Sequence, residues 1–564
     1  MADFSEQTLN RIKVLAAGVS LICAVLLLRL WIVQGLNGSK YLAEAEENRI
    51  KEVELAAPRG IIYDRQKKML VKNRLAISLA VEPAAFKNKR LLKKLSQTLN
   101  MPLKEIKTII ASKRFSHLAP RVIKRDLPMS TLAFIKEHQE EFKGAEIKEE
   151  AVREYPYGSL AAHVLGYVGE VSRADLKTKN KAAYSANDLI GKEGLEKQYE
   201  DVLRGAKGRE FVEVNAVGTV VRLIAKREPE SGNSIVLSLD KDIQQYAEEA
   251  LPYAFNIAKK NKYPKANAGA VVVLQPQTGE VVALASYPTY NPSSFINGIS
   301  TSEWQQLLSA AANYPLTNRA IQSAYPPGST FKVVTAVAGL NEGSISTGST
   351  VVCRGRWVGL GQRWAKWCWN KAGHGAVSLE KALAVSCDSF FYEVGLRLDR
   401  KSHQQLSFWA KKLGLGKPTG IDLPGEAGGR VPDPEWKKSF NKNWPENQPW
   451  FPGDTVNMAI GQGDILLTPL QLAYLYAAIA NGGTFYRPYI VKEVTGTDGR
   501  LAYQAQPKKV GQLPLSTWQL AVIRRGLRRV VSEGTAAGAF ANFKTPVAGK
   551  TGTSEVAGKD DYAF

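Results

Sequence analysis

Between Val14 and Leu36 the sequence carries a single charge, Arg29. As a helix this stretch reaches about 34 Å, enough to cross the hydrocarbon core of a bilayer. Arg29, near its far end, can snorkel to the interface, and Trp31 suits an interfacial belt. No small-residue cleavage site follows the run, which favours a retained anchor over a cleaved signal peptide. Arg11 and Lys13 precede it, so residues 1–13 are expected in the cytoplasm, 14–36 in the membrane, and everything beyond outside. No second apolar stretch of membrane length follows. The expectation is a single-pass protein of the inner (cytoplasmic) membrane, with its bulk in the periplasm or an equivalent extracytoplasmic space.

Export constrains how the net charge of +22 is read. Nucleic-acid binding is one reading of such a charge, but here the basic residues are spread along an exported chain. Anionic headgroups, wall polymer or a pyrophosphate-bearing lipid suit that surface better. At 564 residues the chain exceeds one hydrophobic core. Residues 37–230 read as a mixed, highly charged α+β region, with a lysine-rich helical lobe near 85–145. From 231 to 564 the texture changes. Ser234–Leu239 reads as a strand, Asp240 as the cap of a helix from 241 to about 256, and 268–274 with 280–285 as a hairpin. Helices are expected at about 329–340, 378–385, 402–413, 469–481 and 515–533, and a final strand at 546–553. The fold class is therefore α+β and multidomain, a sheet flanked by helices with a separate helical part.

Three short motifs carry chemistry. Ser329 and Lys332 open an apolar helix one turn apart, which brings an amine within reach of a hydroxyl. Apolar surroundings and the positive helix end favour the neutral lysine, a base for the serine nucleophile. Ser386-Cys387-Asp388 follows a short helix. Lys550-Thr551-Gly552-Thr553 is expected on the final strand, where Lys550 and Gly552 share one face. Lys550 can then meet a substrate carboxylate, Gly552 leaves room for a backbone, and the N–H groups of Thr553 and Ser329 form an oxyanion hole. In this order the triple is the signature of penicillin-binding proteins and class A β-lactamases.

With these motifs the chain resembles the class B penicillin-binding proteins, and among them the elongation enzymes termed penicillin-binding protein 2. The resemblance also rests on Arg29-Leu30-Trp31, Arg59-Gly60 with Asp64-Arg65, Tyr155–Gly169, Gly191–Glu196 with Tyr199, Tyr325–Ser329, Gly461-Gln462-Gly463 and Thr468–Gln471. It implies an elongated pedestal over 37–230 and a β-lactamase-like transpeptidase domain from 231, an antiparallel sheet with helices on both faces plus a helical subdomain. It implies D,D-transpeptidation: Ser329 attacks the penultimate D-Ala carbonyl of a stem peptide, and the acyl group passes to an amine of a neighbouring strand in a 4→3 cross-link. Ser386 relays protons, Lys550 and Thr551 hold the carboxylate, and β-lactams acylate Ser329. Lipid-linked precursor, a SEDS-type glycosyltransferase and elongation-complex membrane proteins are the implied partners, and nucleic acid is not. Asp388 departs from the usual Asn, and an ionised carboxylate only accepts hydrogen bonds. The family continues for about two strands and a helix beyond Phe564, so a truncated chain is expected. Rival readings are a β-lactam hydrolase or sensor, and a non-catalytic scaffold that activates a polymerase.

Cys353, Cys368, His374 and Cys387 lie between the first two motifs or within the second. Three thiolates and an imidazole make a closed tetrahedral set of the structural zinc type. Some penicillin-binding protein 2 enzymes resemble this chain in binding zinc at corresponding positions. A Cys353–Cys368 disulfide with Cys387 free, or three free thiols, are the alternatives. In an extended stretch, the Cys387 thiol points away from the cleft that Ser386 and Asp388 face. Trp364, Trp367 and Trp369 are expected to pack around this loop, and His163 inside the pedestal.

Overall fold

A computed structural model describes residues 6–37, 50–81, 85, 88–111, 120–172, 174–178, 184, 188–214, 220–261, 263–555, 558 and 561–564. The chain forms two compact units, residues 1–58 with 205–231, and 59–204 with 232–564.

The first unit holds the helix Glu6–Trp31, continued by a π-helical turn over Ile32–Leu36. Residues Leu9–Gly35 are long and apolar enough to cross a membrane, with a mean hydropathy of 2.3 and none of that stretch buried by the rest of the protein. The same unit contains a three-stranded antiparallel sheet in the order Ile50–Leu55, Gly208–Val214, Val220–Arg227.

The second unit is organised by a seven-stranded sheet. Its strands run Leu501–Gln504, Val491–Thr495, Ser234–Leu237, Ile62–Tyr63 and Met69–Val81, which pairs with both Arg121–Lys124 and Ala145–Glu154. Ile62 and Tyr63 pair in parallel with Ile235 and Val236. Backbone hydrogen bonding thus continues between segments that the sequence reading put on either side of 230/231. The close approach there requires glycine: a Cβ on Gly60 would lie 1.8 Å from the Asn233 carbonyl oxygen. The lobe near 85–145 contains the helices Lys89–Leu99 and Leu103–Ile110, which pack through Leu91, Leu92, Leu95, Leu99, Ile106 and Ile110.

Asp240 caps the helix Lys241–Lys260, accepting from the N–H groups of Asp242 and Ile243. That helix covers the hairpin Gly269–Leu274/Val281–Tyr287. Alternation sorts the hairpin side chains. Val271, Val273, Ala283 and Ala285 pack with Ala247 and Leu251 of the helix, while Ala270, Val272 and Leu284 face a core that includes Leu470. Leu470 belongs to the helix Pro469–Ala480, so the hairpin has a helix on each face. Most of the helical part shares one core around Phe331, Val334, Phe390, Phe391 and Leu475.

One expected element is corrected. Residues 546–552 form no strand; only Thr553–Ser554 do, paired with Tyr562–Ala563. A strand needs a neighbour to receive its backbone groups. Here Gly549 N–H bonds to Leu527 O, and Gly552 exchanges hydrogen bonds with Phe564.

Candidate active site

Ser329 lies in a 3₁₀ turn, Gly328–Phe331, that runs directly into the buried helix Lys332–Asn341. Two other segments close on this turn. Gly328 has φ +54°, and a Cβ there would meet Thr553 O at 2.5 Å. A Cβ on Gly461 would meet Gly328 O at 2.1 Å, and Gly328 N–H donates to Gly461 O at 3.0 Å. Ser554 Oγ donates to Pro326 O at 2.7 Å. The third motif therefore reaches the nucleophile turn although it is not the long strand expected. Because Gly552 and Phe564 exchange both hydrogen bonds, Thr553 and Ala563 form the open pair, whose N–H and C=O groups point away from each other. Thr553 thus turns its backbone away from Ala563, with its carbonyl oxygen close to Gly328.

Lys332 is fully buried. Its three donors meet three acceptors: Asp388 Oδ1 at 2.7 Å, Ser386 O at 2.8 Å and Ser386 Oγ at 3.1 Å. That is the arrangement of an ammonium. The expectation of a neutral lysine rested on apolar surroundings and the helix end; the structure sets the Asp388 carboxylate, the departure noted in the second motif, directly against it inside the protein. Lys550 approaches the same hydroxyl from the other side, donating to Ser386 Oγ at 2.9 Å and to Thr551 O at 3.0 Å. Burial and the neighbouring Lys332 charge push the Lys550 amine down to about 7, against a smaller opposing pull from Asp388. Among the described residues Ser329 Oγ has no hydrogen-bond partner, and Thr551 Oγ1 lies 2.7 Å from Thr535 Oγ1. Ser329, Lys332, Ser386, Asp388, Lys550, Thr551, Gly552 and Thr553 thus converge from three distant stretches.

Asp388 begins the helix Asp388–Lys401, whose positive end favours a carboxylate. Its second oxygen accepts the Trp369 backbone N–H at 2.9 Å. The neighbouring residue, Cys368, belongs to a cluster with Cys353, His374 and Cys387 in which all ligand atoms lie within 4.8 Å of one another. Cys353 Sγ and Cys368 Sγ each sit 3.6 Å from His374 Nδ1. All are free thiols, so the Cys353–Cys368 disulfide does not form. A hydrogen bond shared with Cys387 holds Cys368 down to about 5 and pushes Cys387 up. Cys387 turns into this cluster while Ser386 and Asp388 turn to Lys332, although the stretch is not extended: Ser386 is left-handed and Asp388 opens a helix.

Trp369 packs its ring against His374 with centroids 5.3 Å apart, as expected, whereas Trp364 and Trp367 meet no other ring among the described residues. Trp364, Trp367 and Trp369 are 63, 53 and 60 % exposed. Trp369 is held as well by its indole N–H, which donates to Val385 O at 2.9 Å. His163 is packed as read: its Nε2 lies 2.7 Å from Pro315 O, and burial holds the ring down to about 4. Sequence reasoning missed that Ser386 Oγ joins both lysines, since nothing local records the approach of residue 550 to 386.

The penicillin binding protein transpeptidase domain matches residues 269–563, and the penicillin-binding protein dimerisation domain matches 54–237. The chain belongs to the penicillin-binding protein transpeptidase family. It is 36% identical to the peptidoglycan D,D-transpeptidase MrdA of Escherichia coli over 97% of this chain and 84% of that protein. The MrdA of Haemophilus influenzae is 34% identical over 97% and 82%. Among solved structures, the complex between penicillin-binding protein PBP2 and MreC from Helicobacter pylori matches with a TM-score of 0.75 and 31% identity, over 90% of both chains. A peptidoglycan synthase complex described as coordinating polymerization and crosslinking matches with a TM-score of 0.70 and 33% identity, over 97% of this chain and 89% of that one. These matches bear out the two-domain α+β reading.

Proposed function

We propose that the chain is a peptidoglycan D,D-transpeptidase that works through a Ser329 acyl-enzyme. The observation that carries this reading is the single hydroxyl, Ser386 Oγ, bonded to both Lys332 and Lys550, with Lys332 one turn along the chain from Ser329. Two ammonium groups on one hydroxyl repel, and Lys550 is the one whose proton is weakly held. The terminal carboxylate of a D-Ala-D-Ala stem peptide, docked at Lys550 and Thr551, raises the proton affinity of Lys550. One proton then moves from Lys332 through Ser386 Oγ to Lys550, and Lys332 is left as a neutral base.

Ser329 Oγ loses its proton to Lys332 and attacks the penultimate carbonyl, whose oxygen takes negative charge opposite the N–H groups of Ser329 and Thr553. The C–N bond to the terminal D-Ala breaks, and its amine takes the proton back from the lysine–serine relay. An acceptor amine on a neighbouring strand then attacks the ester, its proton returns through the same relay, and Ser329 is released. β-Lactams acylate the same hydroxyl. Hydrolysis as a main activity needs a carboxylate to activate water. Asp388, the carboxylate of this cluster, is held at one oxygen by Lys332 and at the other by Trp369 N–H.

Cys353, Cys368, His374 and Cys387 would hold a structural zinc ion. A tetrahedral zinc bound to thiolate and imidazole keeps sulfur and nitrogen about 3.6 Å apart, the separation seen for both Cys–His pairs. The ion would supply a fixed cross-link behind Ser386-Cys387-Asp388 and no chemical step. The helix Leu9–Gly35 anchors the chain in the inner membrane, with the catalytic unit outside. By likeness to the MreC complex and the synthase complex, a SEDS-type glycosyltransferase and MreC-like elongation proteins are the proposed partners.

Ser329→Ala separates an enzyme from a scaffold. Cross-linked product from purified protein and lipid-linked precursor, polymerised by an added glycosyltransferase, is expected to vanish in the variant. Undiminished cross-linking would overturn the reading.

A further inference from the structure

The helix Lys241–Lys260 covers the hairpin face opposite to the helix Pro469–Ala480. The latter touches the nucleophile turn, since Tyr476 Oη donates to Thr330 O at 3.0 Å. On the Lys241–Lys260 side two adjoining clefts, of about 400 and 240 Å³, share Pro252 and Tyr287 and follow one stripe of that helix, from Glu248 past Pro252 to Lys259, a line we call one groove. Its ends differ in charge. The first cleft is lined by Glu248 and Glu249 with apolar walls from Tyr157, Leu160 and Leu251. The second is lined by Lys259 with the amides of Asn256, Asn267 and Asn313.

On a protein with a net charge of +22, an acidic cleft is out of keeping with the surface. Glu248 Oε1 accepts from Ala161 N–H at 2.7 Å and Gln244 Nε2 at 2.8 Å, whereas Oε2 accepts nothing among the described residues. Burial pushes this carboxyl up from its usual range, because no cation compensates it. Lys241, which lies over the Tyr157 ring, is tied to Asp242 at 2.9 Å. From Glu248 to Lys259 the helix rises about 16 Å. An extended peptide covers that distance in about five residues. Asparagine amides between the charged ends can both donate to and accept from a peptide backbone.

We propose that this groove is a second binding site, for a short extended peptide with an ammonium group at the Glu248 end and a carboxylate at the Lys259 end. A wall stem peptide offers both charges, an amine on a side chain part-way along and a free C-terminal carboxylate, and its choice rests on the transpeptidase reading above. The site lies across the hairpin from Ser329, so it can hold one peptide while the cleft acylates another.

The test uses the full chain in detergent, with Ser329 blocked by benzylpenicillin. The probe is a fluorescent pentapeptide carrying one side-chain amine and a free C-terminal carboxylate, read by anisotropy. Saturable binding is expected to survive the block. Glu248→Gln, which keeps the Ala161 bond, and Lys259→Ala are each expected to weaken it about tenfold, roughly one ion pair at 1.4 kcal/mol. Acetylating the peptide amine should weaken binding to the unmodified protein and add nothing in Glu248→Gln. Binding that is lost on acylation, or unchanged in both variants, would overturn the proposal. Intact mass on the same samples reads the penicillin adduct. Absence of the adduct counts against the transpeptidase reading, while the comparison of variants still decides the groove.

Discussion

Ser386 holds φ at +52°, a left-handed conformation that side chains disfavour. Its hydroxyl must sit between two lysines, and glycine, which the backbone would prefer, has none to offer. Two substitutions separate these demands. Ser386→Gly is expected to be more stable to denaturant than Ser386→Ala by about 1 kcal/mol, while both lose about 100-fold or more in penicillin acylation rate. Equal stabilities would show that the conformation carries no strain. The lysine pair also fixes a pH dependence. Below about 7 Lys550 keeps its proton and cannot take one through Ser386; above it Lys550 releases that proton. Acylation efficiency is therefore expected to rise with pH through about 7 and level off. In Asp388→Asn the midpoint should move to lower pH, because the carboxylate that favours the charged amines is gone. A profile that falls through this range would contradict the relay. The spacing of Ser329 and Lys332 and the odd Asp388 were readable in the sequence. The lowered Lys550 was not, because it depends on burial and on a charge that lies 218 positions earlier in the chain.

Helices were readable where they carry their own end signals. Asp240, read as a cap, accepts first-turn N–H groups; Thr468 and Ser516, which were not read as caps, accept one each at the starts of two other expected helices. The stretch 546–552 was misread because a short run forms a strand only when a neighbouring strand lies alongside it, which is a tertiary fact. Trp364 and Trp367 were misread for a related reason: aromatic residues bury only where a surface is available to cover them. The element on which the second motif depends is the 353–387 loop with its thiols and imidazole. Purified protein is expected to contain about one zinc per chain. Chelation should slow acylation about tenfold or more by loosening Asp388 through Trp369. A metal-free protein with full acylation rate would remove the metal from the account.

At the scale of the molecule, a helix long and apolar enough to cross a membrane and a catalytic unit are joined in one chain, and each was visible from composition and motif order. The continuity of the sheet between 62–63 and 235–236 was not, because parallel pairing across more than 170 residues leaves no local pattern. A chain lacking residues 1–36 is expected to leave the membrane fraction and keep its acylation rate within about twofold, since the catalytic unit has its own core. Loss of acylation with the fold intact would mean that the anchor acts on the cleft. The central claim is that Ser329 is the hydroxyl that becomes acylated. Incubation with a labelled penicillin, followed by intact-mass measurement and identification of the modified peptide, tests it directly. One adduct per chain on the peptide carrying Ser329, absent in Ser329→Ala, is the predicted result; an adduct elsewhere, or one that survives in Ser329→Ala, would contradict it.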